Sequence, residues 1–230
     1  MSYAVALHPW KRGSFLKSSN NQLTIDGVSS IQLVEEFGSP LFVYSEKVLR
    51  NNANQITTSF RRVHASTTVC FACKSNTNIS VLRVLRSSGI GVEVNSVGEF
   101  FKVKEAGYTP SEVVFNGVAK LHTELEAVIR DDIKSINVDS LGELRRILEV
   151  AKAIDKQAGI SLRIIPEIKG GATAGWETGT AASKFGMTRE ELNEAIALIC
   201  DSTSHVKLKG VHVHIGTQVN DISAFEKEAQ

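Results

Sequence analysis

The sequence predicts an α/β fold of the (β/α)₈ barrel (TIM) type, truncated after about six strands. Short β-type runs alternate with helical stretches along the chain. The strands begin about 20 to 25 residues apart and each is followed by a helix, as in parallel β/α units with right-handed crossovers. Polar residues recur where the strands end, and in a barrel those ends meet at one mouth. This recurrence favours the barrel over a doubly wound sheet.

The N-terminal region precedes the alternating pattern. It contains a predicted helix at residues 29–37, an apolar run at 41–44 and a long predicted helix at 46–62. We assign residues 1–40 to a segment that packs on the barrel or belongs with a further domain, and residues 41–230 to the barrel itself.

Six strands are predicted in the barrel region. They occupy residues 69–74, 91–95, 113–116, 135–139, 161–165 and 210–215, separated by helical segments such as 79–87 and 141–156. The polar residues at or near their ends are Lys74, Glu93 with Asn95, Asn116, Asp139 and His214. Because a full barrel takes about 250 residues, we expect an incomplete barrel that lacks its last two strands.

Composition excludes several functional classes. Lys and Arg total 26 against 25 for Asp and Glu, so there is no excess of positive charge to bind a nucleic acid. No apolar run approaches the roughly 18 residues of a membrane span, and residues 1–20 lack the apolar stretch of a signal peptide. We therefore expect a cytoplasmic protein with no membrane partner.

The three cysteines do not indicate a disulfide framework, because an odd number cannot all pair within one chain. Cys70 and Cys73 form a C-x-x-C sequence, the spacing of redox and zinc sites. They lie in a β-rich run, where residues three apart face opposite sides. We expect two diverging, buried thiols.

Lys74 is the most informative residue. In an extended strand it would share one face with Cys70 and Ala72, whose small side chains leave room for a bulky group. A desolvated lysine amine can form a Schiff base with an aldehyde. Taken alone, however, a lysine at a strand end is more often a surface residue.

Six short motifs in order resemble the fold-type III pyridoxal-phosphate decarboxylases, over roughly residues 23–230. The motif around Lys74, Phe71-Ala-Cys-Lys-Ser-Asn76, resembles the family's Tyr-Ala-Val-Lys-Ala-Asn. The others are Gly91-Val-Glu-Val-Asn-Ser-Val-Gly-Glu99, Val114-Phe-Asn-Gly-Val-Ala-Lys120, Leu162-Arg-Ile-Ile-Pro166, Ser183-Lys-Phe-Gly186 and His214-Ile-Gly-Thr-Gln218. The last two resemble diaminopimelate decarboxylases more than ornithine decarboxylases or alanine racemases.

The resemblance implies a set of site residues for pyridoxal 5′-phosphate. Lys74 would carry the cofactor as a Schiff base, with Ala72 beside it, and His214 would lie flat against the pyridine ring. Thr217 matches a serine that contacts the phosphate, and N–H groups around Gly216 suit an anion. Glu93 takes the place of an aspartate near the cofactor. For Glu93 and Glu99, a structural salt bridge with Arg163 is an equal alternative.

The resemblance also implies an activity and an assembly. The expected reaction is α-decarboxylation of meso-diaminopimelate to L-lysine, by a homodimer with shared active sites whose C-terminal β-domain is absent here, so the fragment alone should be inactive. Where the family has a His-Pro-Tyr segment, this sequence has Thr173-Ala-Gly175. A related amino-acid substrate, of the ornithine or arginine type or from siderophore or antibiotic pathways, therefore stays open, as does a non-catalytic cofactor-binding protein.

Two other motifs have rival interpretations. His212 and His214 form a His-x-His pair, as in metal-dependent amidohydrolases, but there the pair belongs to the first strand and the lysine to a later one. We therefore expect no metal, and a core histidine at position 212. The Gly-rich stretch at residues 169–175 lacks the ending of a P-loop and is interpreted as a mobile loop over the barrel mouth.

Overall fold

The computed structural model describes residues 15–19, 22–165, 185–214, 216, 223 and 226. The chain divides into two compact units, Met1–Val69 with Arg83–Ile90, and Cys70–Leu82 with Gly91–Gln230. Among the described residues, no helix is both long and apolar enough to cross a membrane.

The first unit contains an antiparallel meander and two helices. The strands are β1 (Leu16–Ser19), β2 (Gln22–Ile25) and β3 (Val28–Ser29), followed by helices α1 (Ser30–Phe37) and α2 (Glu46–Val63). Both helices lie where the sequence predicts them, whereas the meander was not predicted. Helix α2 begins at a capped end, since the Ser45 hydroxyl accepts a hydrogen bond from the Val48 N–H.

The second unit contains a parallel six-stranded sheet, confirming the predicted α/β pattern. Its strands are β4 (Cys70–Ala72), β5 (Gly91–Val94), β6 (Val113–Phe115), β7 (Ser135–Val138), β8 (Ala158–Arg163) and β9 (Val206–His212), in sequential order. The described helices that follow β4 along the chain are α3 (Ile79–Ser87), α4 (Val97–Glu105), α5 (His122–Arg130), α6 (Leu141–Ala153) and α7 (Arg189–Cys200). Sequential parallel order is the topology of β/α barrel units.

The core of this unit lies between the sheet and its helices. Alternate strand residues such as Val92, Phe115, Ile136 and Ile160 are buried there, together with Leu144 of α6. The other strand face carries Glu93, Asn137 and Ser161, among others. Because strand side chains alternate between faces, the apolar residues anchor the helices while the polar ones face the barrel interior.

The last two strands differ in position from the prediction. Strand β8 is observed at Ala158–Arg163 and β9 at Val206–His212, both starting before the predicted residues. Their register shifts between Ile160 and Ser161. Strand β9 is an edge of the described sheet, where exposed lysines such as Lys207 and Lys209 are tolerated. Because lysine is depleted in strands, the first residues of β9 carry a weak strand signal.

Candidate active site

The first strand ends in a turn that presents Lys74. Strand β4 stops at Ala72, and Cys73–Ser75 form a single 3₁₀ turn. The turn is held by the Ser75 hydroxyl, which donates to the Ala72 carbonyl over 2.8 Å, and by the Asn76 N–H, which donates to the Cys73 carbonyl over 3.0 Å. The Lys74 side chain is exposed at the carboxyl end of the strand.

Two sequence expectations about this segment are wrong. Lys74 does not continue the strand face of Cys70 and Ala72, because the backbone turns after Ala72. Cys73 is fully buried but Cys70 is exposed, although all three cysteines are free. Cys70 starts β4, which is an edge strand of the described sheet, so one side of it has no neighbouring strand.

Strand β5 ends in a linked pair of polar side chains. The Asn95 side-chain amide donates to the Glu93 carboxylate over 2.9 Å, and the Asn95 N–H donates to Glu99 over 2.8 Å. Glu99 therefore holds the strand end in place from the first turn of α4, and Glu93 is oriented on the face that looks into the barrel. Both carboxylates are partly buried.

Strand β6 ends beside β5 and is followed by a position that favours glycine. The Asn116 N–H donates to the Val94 carbonyl over 2.7 Å. Gly117 has φ +89°, and a Cβ there would lie 3.2 Å from the Asn95 carbonyl oxygen. Both the positive φ and the close approach disfavour a side chain at this position.

Strands β7 and β8 end in a buried ion pair. Nη1 of Arg163 lies 3.2 Å from Oδ1 of Asp139, and both side chains are less than a tenth exposed. The Arg163 guanidinium stacks on Phe185 at 4.7 Å from the ring centroid. The Gly186 N–H donates to Asp139. Burial raises the pKa of Asp139, while the charge of Arg163 opposes that rise.

This pair gives the predicted Lys-Phe-Gly motif a structural role, through Phe185 and Gly186. From the sequence, a salt bridge with Arg163 is an alternative role for Glu93 and Glu99. Among the described residues, the salt bridge of Arg163 is instead with Asp139. The charge of Glu93 nevertheless acts on Arg163.

A second buried ion pair, between Lys120 and Glu143, was not predicted from the sequence. Lys120 Nζ donates to Glu143 over 2.9 Å and to the carbonyls of Gly117 and Asn137 over 2.6 and 2.8 Å. The other Glu143 oxygen accepts the Asp139 N–H over 2.7 Å. The Ser-x-x-Glu spacing before an apolar helix, which is a capping-box signature, could have indicated Glu143.

Strand β9 brings two histidines to the same edge. His212 is the register partner of Arg163, and its Nδ1 is buried without a hydrogen-bond partner among the described residues. The pKa of His212 is lowered to about 4, mainly by burial of the ring and also by the charges of Arg163, His214 and Lys120. The imidazole of His212 is therefore neutral at physiological pH.

His214 follows the strand and is exposed. Its pKa is lowered by desolvation of the ring and by the positive charges of Arg163 and Lys74, against the opposite effect of Glu93. These three groups come from the ends of β8, β4 and β5. The charges of the predicted site residues Lys74 and Glu93 thus both act on His214.

The remaining predicted residues are less fully described. Ala72 ends β4 and is half-buried, and Gly216 lies just beyond His214 in an isolated bridge. Thr217 and the Gly-rich stretch at 169–175 lie outside the described residues. Where the structure describes the chain, no three His, Cys, Asp or Glu side chains form a group that could hold a metal ion.

The donor set at this edge fits pyridoxal phosphate in its chemistry. It offers an exposed primary amine for an aldehyde, an imidazole for ring contact and a carboxylate, beside the small side chain of Ala72. The buried His212 Nδ1 adds a polar atom that has no partner in the described chain.

Comparison with known proteins gives the same indication. Residues 48–230 match the family model described as the pyridoxal-dependent decarboxylase, pyridoxal binding domain. The diaminopimelate decarboxylases of Methanocaldococcus jannaschii and Haemophilus influenzae are 35% and 34% identical, over 90% and 92% of this chain. These alignments cover 48% and 50% of the two relatives, so the chain spans about half their length.

A solved structure is similar over most of this chain. The crystal structure of diaminopimelate decarboxylase from M. jannaschii has a TM-score of 0.85 and 34% identity, and covers 93% of this chain and 50% of that one. Another structure of that enzyme contains L-lysine. The chain thus belongs to the family of pyridoxal-dependent decarboxylases, and its residues 48–230 correspond to the family's pyridoxal-binding domain.

Proposed function

We propose that this chain is the cofactor-binding part of a longer, pyridoxal-phosphate-dependent enzyme that decarboxylates meso-diaminopimelate to L-lysine. The observation that carries the proposal is that Lys74 and His214 both follow the carboxyl ends of strands in one parallel sheet, in a chain 35% identical to a diaminopimelate decarboxylase. The L-lysine bound in the structure of that relative supports the same substrate class.

We assign the cofactor to six residues. Lys74 would hold its aldehyde carbon through the side-chain amine, with Ala72 leaving room beside it. His214 would lie against the ring, Glu93 would lie near the cofactor, and Gly216 with Thr217 would bind the phosphate. When bound, pyridoxal phosphate supplies the electron sink for the carbon–carbon bond that breaks as carbon dioxide leaves.

The chain's own groups prepare this site. The 3₁₀ turn at Cys73–Ser75 leaves the Lys74 amine exposed beyond the end of the strand, where it would hold the cofactor aldehyde. The neighbouring positive charges favour a neutral His214, so that its ring can pack against the cofactor without carrying a charge of its own. Glu93 is oriented by Asn95, and its negative charge acts on Arg163 and His214.

The domain division and the assembly belong to the same proposal. Residues 41–230 would form the barrel, and residues 1–40 would pack on it or join the C-terminal β-domain found in the family. We infer a homodimer in the cytoplasm, which accepts a small amino acid and binds neither nucleic acid nor membrane.

The test is release of carbon dioxide by the complete protein supplied with pyridoxal phosphate. meso-Diaminopimelate, ornithine and arginine are compared at equal concentration, and L-lysine is identified as product by mass spectrometry. We expect turnover of diaminopimelate above the others. Turnover confined to ornithine or arginine would refute the substrate, and cofactor binding without release from any amino acid would refute the enzyme.

A further inference from the structure

Lys120 carries a charged side chain in the interior of the protein, where charged groups are rare. Its residue is only 3% exposed, and lysine is almost never fully buried unless it is paired. All three N–H groups of its ammonium have an acceptor, namely the carbonyls of Gly117 and Asn137 and the carboxylate of Glu143. The ammonium also lies 5.6 Å from the centroid of the Phe115 ring.

These contacts connect three separate parts of the barrel mouth. Gly117 follows β6, Asn137 lies in β7, and Glu143 is in the first turn of α6. A cation with three acceptors fixes the distances between those elements more tightly than an apolar side chain could, because each hydrogen bond has a preferred length and direction.

The network continues toward the site through Glu143. Its second oxygen accepts the Asp139 N–H over 2.7 Å, and the Asp139 carboxylate pairs with Arg163 over 3.2 Å. Arg163 is the register partner of His212, which lies two residues before His214, and the positive charge of Arg163 is the largest of those that lower the pKa of His214. A continuous chain of polar contacts therefore runs from Lys120 to the Asp139–Arg163 pair.

We propose that Lys120 and Glu143 are positioning residues, which hold the Asp139–Arg163 pair at the barrel mouth and so set the electrostatic surroundings of His214. The proposal rests on the proposed function only in taking His214 as a cofactor-contacting residue. Neither Lys120 nor Glu143 need touch cofactor or substrate. The charged groups acting on His214 are Arg163 and Lys74, which oppose its protonation, and Glu93, which favours it. The neighbouring His212 also interacts with it.

The test compares three variants of the complete protein without added cofactor. Lys120→Met removes the ammonium and leaves Glu143 unpaired. Lys120→Met with Glu143→Leu replaces the whole pair by apolar side chains, a change that buried pairs often tolerate. Lys104→Met is the matched control, since Lys104 also pairs with a carboxylate, that of Asp131, and also lies over a phenylalanine ring, but is exposed.

The readouts are the urea unfolding midpoint and the titration of the His214 imidazole by NMR. Lys120→Met should lower the midpoint and raise the pKa of His214 toward its ordinary value of 6.5, because Arg163 is no longer held beside it. The double variant should regain most of the midpoint but keep the raised pKa. Lys104→Met should change neither.

The double variant decides between positioning and packing, even if Lys120→Met does not fold. The proposal would be overturned by a stable double variant in which His214 titrates as in the wild type. It would be overturned equally by a double variant that fails to fold, because the pair would then serve only the stability of the core. Because no readout uses the cofactor, failure here is distinct from failure of the proposed function, which a separate titration of pyridoxal phosphate into the wild type detects.

Discussion

His212 should make the stability of the fold depend on pH. Its pKa is lowered from 6.5 to about 4, so between these values the unfolded chain binds a proton that the folded chain does not. By linkage, stability then falls as the pH is lowered from 6.5 to 4 and is fully present above 6.5. Replacing His212 by Gln removes the titrating group and should remove this loss.

The expected size of the effect follows from the difference between the two pKa values. One pKa unit corresponds to about 1.36 kcal/mol, and the ring is partly exposed, so we expect a loss of roughly 2 to 3 kcal/mol in the free energy of unfolding. Urea unfolding at several pH values between 7.5 and 4 measures it, for the wild type and for His212→Gln. His122→Gln is the control, because the His122 side chain is 55% exposed.

The wild type and the His122 variant should lose stability together on acidification, while His212→Gln loses about 2 to 3 kcal/mol less. Parallel profiles for all three proteins would refute the argument. An NMR titration of His212 with a midpoint near 6.5 would refute it independently, because the folded environment would then not oppose protonation of the ring.

Three further changes test the site. Lys74→Ala should abolish the visible absorbance of bound pyridoxal phosphate and nearly all release of carbon dioxide, while changing stability by less than about 0.5 kcal/mol; equal absorbance in this variant would contradict the assignment. Asp139→Ala should lower the free energy of unfolding measured with urea by about 3 to 5 kcal/mol, because it leaves the buried Arg163 without its carboxylate partner. Glu126→Ala, which breaks an exposed pair with Arg130, should cost only about 0.3 to 0.5 kcal/mol, and equal costs would contradict the role of burial. His214→Ala should weaken cofactor binding measured by absorbance titration and His214→Phe should restore part of it, whereas loss of activity on chelation that added zinc restores would instead indicate a metal site.

Hydrophobic periodicity was sufficient to predict most of the strands and helices from β4 onward. The helix predicted at residues 79–87 is observed as Ile79–Ser87, and the strand predicted at 113–116 as Val113–Phe115. Such elements bury one face against a common core, so their apolar residues repeat with the period of the element. The pattern does not depend on which distant segments later come together.

The N-terminal meander was missed because its strands have at most four residues and little alternation. A signal was nevertheless present in the Asp26-Gly27 dipeptide. Both residues have positive φ, 50° and 89°, as a type I′ hairpin turn requires at its two central positions. Turn chemistry would have been a better guide here than periodicity.

Resemblance selects Lys74 and His214 as candidate site residues, and this assignment stays a prediction; it leaves their surroundings open. Cys70 was expected to be buried from its residue type, although its exposure depends on whether a strand lies beside β4. The burial of Lys120 depends on carbonyls and a carboxylate from three elements. A single sequence gives the residue types in such a network but not which of them meet.

The two buried ion pairs explain how so many charges can share one edge of the sheet. Lys120 and Arg163 are balanced by Glu143 and Asp139, so the network carries no net charge and each member has a partner. A lone buried cation at the position of Arg163 would be too costly to retain. Anchored by its partner, Arg163 can instead keep a positive charge close to His214 and so favour a neutral imidazole. The polar network is therefore what makes the electrostatics at the barrel mouth compatible with a folded core.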